Sequence, residues 1–385
     1  MSIFRLTPPI KLSKDFKTLC THQCIVALAS GMFGLFLPIF LLKEFGNSIY
    51  WVIVFYTVGH LLYGLLVPFG AMLMQKAGLK KLMIIARCFN ILFYVSLYFL
   101  HNNPILFAIL ANFNLLMFRL LYWVPYHVDL AKFTSGKYRG RQMAYLSALG
   151  YLIGIGSPLL AGFLLTQSSF NLLFIIAVVI LIVATFPLAK LSKSQVKFEF
   201  SYFQSFRELF KKANKGLRTA YLADGAQGLV GVVIWPIFIY QILEGQYLAV
   251  GAVTALVVIG TIVCQLLVGN YTDKFSKRKL VRVGSFIYAF GWMIKTFVVT
   301  AFQIFVVGTF HSLGYIVLRT PVNAFSDEQV TDQGSYLDEY TVLREISINL
   351  GRAIMGVVLI ILISLVGLKI AFPVAAITSL LINVF

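Results

Sequence analysis

The stretch Gly269-Asn270-Tyr271-Thr272-Asp273-Lys274-Phe275-Ser276-Lys277-Arg278-Lys279 is a short charged hinge between two long apolar runs. An echo lies 198 positions earlier, at Ala71-Met72-Leu73-Met74-Gln75-Lys76-Ala77-Gly78-Leu79-Lys80-Lys81. The same offset sets Pro38-Ile39-Phe40 on Pro236-Ile237-Phe238 upstream and Leu82 on Leu280 downstream, without a gap. Two membrane halves of one design, in the same orientation, are the simplest reading. Parallel repeats of this kind predict halves that rock about a central site.

Composition agrees. Of 385 residues, 59% are hydrophobic and only 12% charged, against about 25% charged in an average soluble domain. A soluble chain could not hide that much apolar surface, so a polytopic membrane protein is expected. The net charge of +18 invites a nucleic-acid reading, but its distribution argues against one. Only Lys43 and Lys369 fall on the predicted outer side, and the other Lys and Arg cluster in alternate loops or sit inside spans. That is the positive-inside bias, and no nucleic-acid partner is expected.

Apolar runs of about twenty residues give twelve spans. They are 20–42, 48–74, 81–101, 104–130, 142–166 and 170–191, then 218–243, 247–270, 280–300, 302–325, 342–366 and 368–385. Arg5, Lys11, Lys14 and Lys17 precede span 1, which puts both termini in the cytoplasm of a plasma (inner) membrane protein. The region 326–341 is acidic, with Asp327, Glu328, Asp332, Asp338 and Glu339. Acidic residues weigh little in orientation, so the topology stands. Between the halves, Tyr202, Phe203, Phe206, Leu209, Phe210 and Ala213 recur at helical steps. Arg207, Lys211, Lys212 and Lys215 fill the other face, and Glu208 stands four before Lys212. This predicts a helix on the inner membrane surface. Cys20, Cys24, Cys88 and Cys264 show no framework spacing. Cys20 and Cys24 share a helix face while His22 points away, so no metal site is expected.

The hinge residues Gly269, Asp273, Lys274, Lys277, Arg278 and Lys279 resemble the loop signature of the major facilitator superfamily. That signature, Gly-x-x-x-Asp-Arg-x-Gly-Arg-Arg, lies between spans 2 and 3 and is echoed between spans 8 and 9. Here Ser276 replaces its glycine, and the first copy has Ala71 and Gln75 in place of the first glycine and the aspartate. The resemblance implies an all-α membrane protein of twelve transmembrane helices in two parallel six-helix pseudo-repeats. The N-terminal bundle would cover 1–191, a basic amphipathic linker 192–217, and the C-terminal bundle 218–385. It also implies that Asp273 latches against the start of span 5, near Arg139 and Arg141, with a weaker counterpart at Gln75. A carboxylate at a helix N-terminus gains about 0.3–1 kcal/mol. The run Gly150 to Gly162 in span 5 partly resembles the family's exporter motif, with Ile153, Ser157 and Ala161 departing from it; generic small-residue packing explains it equally well.

Ionisable groups inside spans are costly and are therefore functional candidates. His60, Arg119, His127, Asp129, Asp224, Lys295, His311, Arg319, Arg344, Glu345 and Arg352 qualify. The resemblance implies that spans 1, 4, 7 and 10 line the cavity, which raises Asp224, Gln227, Arg119, Arg319 and His311, with Trp123 and Trp235 as aromatic wall. Asp224 is expected to exchange a proton or to pair with Arg119 or Arg319. His60 and His311 read as packing residues, and Lys295 as snorkelling outward.

A secondary transporter of a small organic solute is expected: monomeric, proton-coupled, working by alternating access, with export slightly favoured. It would need no cofactor. The alternatives are a sugar-like uptake symporter and a non-transporting sensor or scaffold on the same fold. The sequence has no His-Glu-x-x-His, Gly-x-Ser-x-Gly or Walker loop, so neither an enzyme nor a self-contained ATP-driven pump is expected.

Overall fold

A computed structural model of the protein describes residues 12–134, 139–194, 198–272, 276–332 and 337–384. The described chain is helical. Span 1 is α1 (Lys14–Gly34) and α2 (Leu37–Glu44), and spans 2 to 6 are α3 (Ile49–Ala77), α4 (Leu79–Tyr98), α5 (Pro104–Phe133), α6 (Arg139–Gln167) and α7 (Phe170–Ala189). The linker holds α8 (Tyr202–Phe210). Span 7 is α9 (Lys215–Leu229), a π-helical turn (Val230–Ile234) and α10 (Trp235–Ile242). Then come α11 (Tyr247–Thr272), α12 (Lys277–Lys295), α13 (Ala301–Asp332), α14 (Leu337–Val366) and α15 (Ala371–Leu380).

Among the described residues, nine helices are long and apolar enough to cross a membrane, and α1 with α2 makes a tenth, bent by 42°. The other two predicted spans are helices as well. One is α12, where Lys277, Arg278, Lys279, Arg282 and Lys295 lower the hydropathy; the other is the shorter apolar stretch Leu368–Val384.

The repeat is written into the backbone. Span 1, expected to be continuous, bends by 42° between α1 and α2, while span 7 runs on as one long helix through its π-helical turn. The second piece of each starts one residue before the matched prolines, Pro38 in α2 and Pro236 in α10. Proline has no N–H to donate, so it is tolerated in the first turn of a helix. Each piece then ends in the same turn. Phe45, Gly46, Asn47 and Ser48 donate their amides to Leu41, Lys43, Leu42 and Phe45. At the 198-residue offset, Leu243, Glu244, Gly245 and Gln246 donate to Ile239, Gln241, Tyr240 and Leu243. Both turns need two left-handed residues: Gly46 (φ 64°) and Asn47 (φ 61°) in the first, Glu244 (φ 51°) and Gly245 (φ 80°) in the second.

Helix packing repeats too. In the first half α1 packs on α6 and α7, α3 on α5, α4 on α5, and α4 on α7. In the second half α9 packs on α14 and α15, α11 on α13, α12 on α13, and α12 on α15. Those are the same five pairings. The halves meet through two further matched pairs, α3 with α14 and α6 with α11. Glycines allow the close approach. A Cβ on Gly162 would lie 2.6 Å from the Tyr247 carbonyl oxygen, and one on Gly251 would lie 2.4 Å from that of Pro158. Gly150 and Gly156 face open space, so only part of the small-residue run of span 5 serves packing. At the turn end of the bundle, Tyr247 meets Phe36 and Phe170 edge-on, and Lys43 lies 4.9 Å over its ring.

The linker helix forms as expected, with a Ser201/Gln204 capping box at its start. Leu209 is buried and Tyr202 stacks on Phe69 of α3 at 4.5 Å. Phe203 stays 81% exposed, which suits insertion into lipid. Glu208 pairs with Lys211 at 2.6 Å, one residue short of the expected Lys212, because α8 ends at Phe210 before the next turn can bring Lys212 round.

The two turns give a stability prediction. Gly46→Ala is expected to cost about 1–2 kcal/mol from the left-handed backbone alone. Gly245→Ala is expected to cost more, since its Cβ would also press on the Tyr240 hydroxyl at 3.2 Å. Thermal unfolding of the purified variants in one detergent checks the order.

Candidate functional site

The site starts from a backbone contact. Helices α9 and α14 cross so closely that a Cβ on Gly225 would lie 1.9 Å from the Ile348 carbonyl oxygen, and one on Gly351 2.0 Å from that of Leu222. Only glycine fits. The next residues along are Asp224 on α9 and Arg352 on α14, so this crossing sets both charges in the interior.

Asp224 accepts a charge-assisted hydrogen bond from Arg319 Nη2 of α13. Its other carboxylate oxygen accepts from Gln227 Nε2 at 3.0 Å. Gln227 Oε1 accepts from the Tyr288 hydroxyl of α12 at 2.7 Å. The Tyr288 ring stacks on His311 at 4.3 Å, and Trp292 meets His311 edge-on at 4.5 Å. Lys295 Nζ lies 4.0 Å from the Trp292 ring centre and 4.4 Å from that of Trp235. Asp224, Gln227, Arg319, His311 and Trp235 thus join one network on the second half. The π-helical turn sits within it, between Gln227 and Trp235. Such turns relax the regular ladder and occur most often at functional sites.

Arg119 enters from the first half. It lies on α5 beside His60, Tyr56 and Tyr63 of α3, within electrostatic reach of Arg352 and Glu345 of α14. Arg352 in turn feels Asp224 and Arg319. Trp123 stands apart, packed with Tyr122, Tyr126 and His127 on its own helix.

Two expectations are corrected here. Lys295 does not snorkel outward. It is buried, because two indole faces offer a cation-π box inside the bundle. Arg87, which the candidate set lacked, is fully buried on α4. Its Nη2 donates to His22 Nε2 at 3.1 Å, and its guanidinium lies 4.9 Å from the Tyr122 ring centre. An arginine inside an apolar span was the available signal. His22 Nδ1 donates to the Ala184 carbonyl at 2.8 Å, so both its nitrogens are engaged in protein contacts. Cys20 and Cys24 are free thiols.

For the latch, Asp273 and Lys274 lie outside the described residues. Gly269 belongs to the last turns of α11 and Lys277 opens α12. Arg278 and Gln75 are exposed.

A helical bundle of two parallel repeats, with charged groups gathered between them in the interior, defines a polytopic membrane protein of transporter architecture. The Major Facilitator Superfamily profile matches residues 19–214 and 219–385, and the chain belongs to that superfamily. No curated protein sequence matches the chain significantly. Among solved structures, the fold is similar to that of a POT family transporter in complex with 5-aminolevulinic acid. The TM-score is 0.73 at 11% identity, covering 96% of this chain and 94% of that one. It is also similar to a POT family transporter in complex with a thioalcohol-conjugated peptide, with a TM-score of 0.72 at 10% identity and the same coverage.

The Asp224–Arg319 pair gives a second prediction. Arg319→Met leaves a buried carboxylate without its cation and is expected to destabilise the protein by about 3–5 kcal/mol. Asp224→Leu combined with Arg319→Met removes both charges and is expected to recover most of that loss. Chemical denaturation of the single and double variants measures the coupling.

Proposed function

We propose that the protein is a secondary active transporter that carries a small organic solute across a membrane by alternating access. Superfamily membership supports transport, and two similar folds hold small solutes, 5-aminolevulinic acid and a peptide conjugate. It is a transporter and not an enzyme, and needs no cofactor. Residues 1–191 and 218–385 act as the two rocking bodies, and residues 192–217 tether them. The contacts of Lys43, Phe36 and Phe170 with Tyr247 close one side of the bundle and part when it opens. The Asp273 loop latches the opposite side against the start of α6. Both termini lie in the cytoplasm of a plasma membrane protein that works as a monomer.

Coupling to protons rests on one observation: Asp224 is a buried acid held by Arg319 and Gln227 beside the π-helical turn of span 7. Protonation of Asp224 would remove the charge that holds Arg319. The freed guanidinium would then be available to solute, and solute held by Arg319 would in turn favour the protonated form of Asp224. Export is slightly favoured over uptake. For Asp224→Asn, a reconstituted counterflow assay is expected to retain solute exchange. Accumulation driven by an imposed proton gradient is expected to disappear. Gradient-driven accumulation by that variant would refute the proton role.

A further inference from the structure

Among the described residues Arg119 has no hydrogen-bond acceptor of its own. Its only polar contact is Nη1 to His60 Nδ1 at 3.4 Å. But His60 Nδ1 also lies 2.8 Å from Asn349 Oδ1. The amide of Asn349 is oriented by its other end, since Nδ2 donates to the Glu345 carbonyl at 2.8 Å and to Glu345 Oε2 at 3.3 Å. Oδ1 therefore faces His60 as an acceptor, and the proton sits on His60 Nδ1. Two donors then face each other across 3.4 Å, and no hydrogen bond forms. Among the described residues Arg352 Nε is buried without a partner, and it lies against Gly228 of α9. Neither arginine has a carboxylate within ion-pair distance among the described residues.

The surroundings do not balance the charge. The groups facing this pair are His60, Tyr56 and Tyr63 of α3, Glu345 of α14, Asp224 of α9 and Arg319 of α13. Asp224 is already engaged by Arg319. That leaves Arg119 and Arg352 sharing Glu345, one carboxylate between two guanidiniums from opposite halves. A buried cation without its anion is costly, and a guanidinium fork is the donor that best fits a carboxylate or phosphate oxygen pair.

We propose that Arg119 and Arg352 clamp the anionic group of the solute, so that the transported substrate is a small organic anion. This rests on the transport reading and adds the substrate class to it. Each half supplies one arm, so an anion between them draws the halves together.

Purified protein in detergent is titrated with succinate, with inorganic phosphate, with the uncharged succinamide and with 1,4-diaminobutane, and the unfolding midpoint is followed. Succinate or phosphate is expected to raise the midpoint, and which of the two acts separates a carboxylate from a phosphate group. Succinamide and diaminobutane are expected to leave it unchanged. Arg119→Gln and Arg352→Gln are each expected to weaken anion binding by about tenfold to a hundredfold. In anion-free buffer both variants are expected to be at least as stable as the parent, whereas loss of a structural ion pair would lower the midpoint. Arg119→Lys is expected to keep part of the anion response. Stabilisation by diaminobutane, flat titrations with both anions, or Gln variants that bind anion like the parent would each overturn the clamp. Counterflow in vesicles is read separately. Flux of any solute upholds transport even where the anion titrations fail, and anion binding without flux would end the transport reading and leave the clamp.

Discussion

Two glycines hold the interior in register. Where Gly225 of α9 meets the backbone at Ile348, and Gly351 of α14 meets it at Leu222, the helices touch main chain to main chain. In a bilayer the lipid is as apolar as leucine, so association relies on close van der Waals packing rather than on the hydrophobic effect. The crossing therefore does two things. It binds α9 to α14, and it fixes the height at which Asp224 and Arg352 enter the bundle. Any side chain at either glycine would separate the helices and move both charges.

The rest of the interior follows from what each charge then finds. Asp224 finds Arg319. Lys295 finds two indole faces, and Arg87 finds a histidine nitrogen and the ring of Tyr122. These are three different ways of keeping a buried group in a low dielectric, and they differ in mobility. The ion pair is the one in which removing either charge leaves the other unpaired. The excess of guanidinium over carboxylate between the halves makes the centre of the protein electropositive.

Much of the architecture was legible in the sequence. The 198-residue offset carried the parallel repeat, and the structure repeats it in helix pairings and in the turn hydrogen bonds after α2 and α10. Hydropathy placed the spans but could not see the bend in span 1 or the π-helical turn in span 7, because an apolar window looks the same whether or not the helix inside it is regular. Pro38 and Pro236 were visible as a matched pair; that each opens a new helical segment was not. The site was half legible. Span membership brought forward Asp224, Gln227, Arg319, His311 and Arg119. Arg352 was seen as ionisable but left aside, since membership of span 11 says nothing about a glycine at Gly351 that brings it against α9. Lys295 was misjudged because snorkelling is the usual escape for a lysine near a helix end, and the second indole that holds it, Trp235, comes from a distant span. Trp123 was placed in the wall by helix number, but it packs along its own helix.

The paired turns carry a consequence for biogenesis. Every hydrogen bond of the first lies between Leu41 and Ser48, and every one of the second between Ile239 and Gln246. Neither needs anything from a distant part of the chain. A helical hairpin can thus fold back on itself as it leaves the ribosome, once near the start of each half, and wait for its later neighbours already bent to shape.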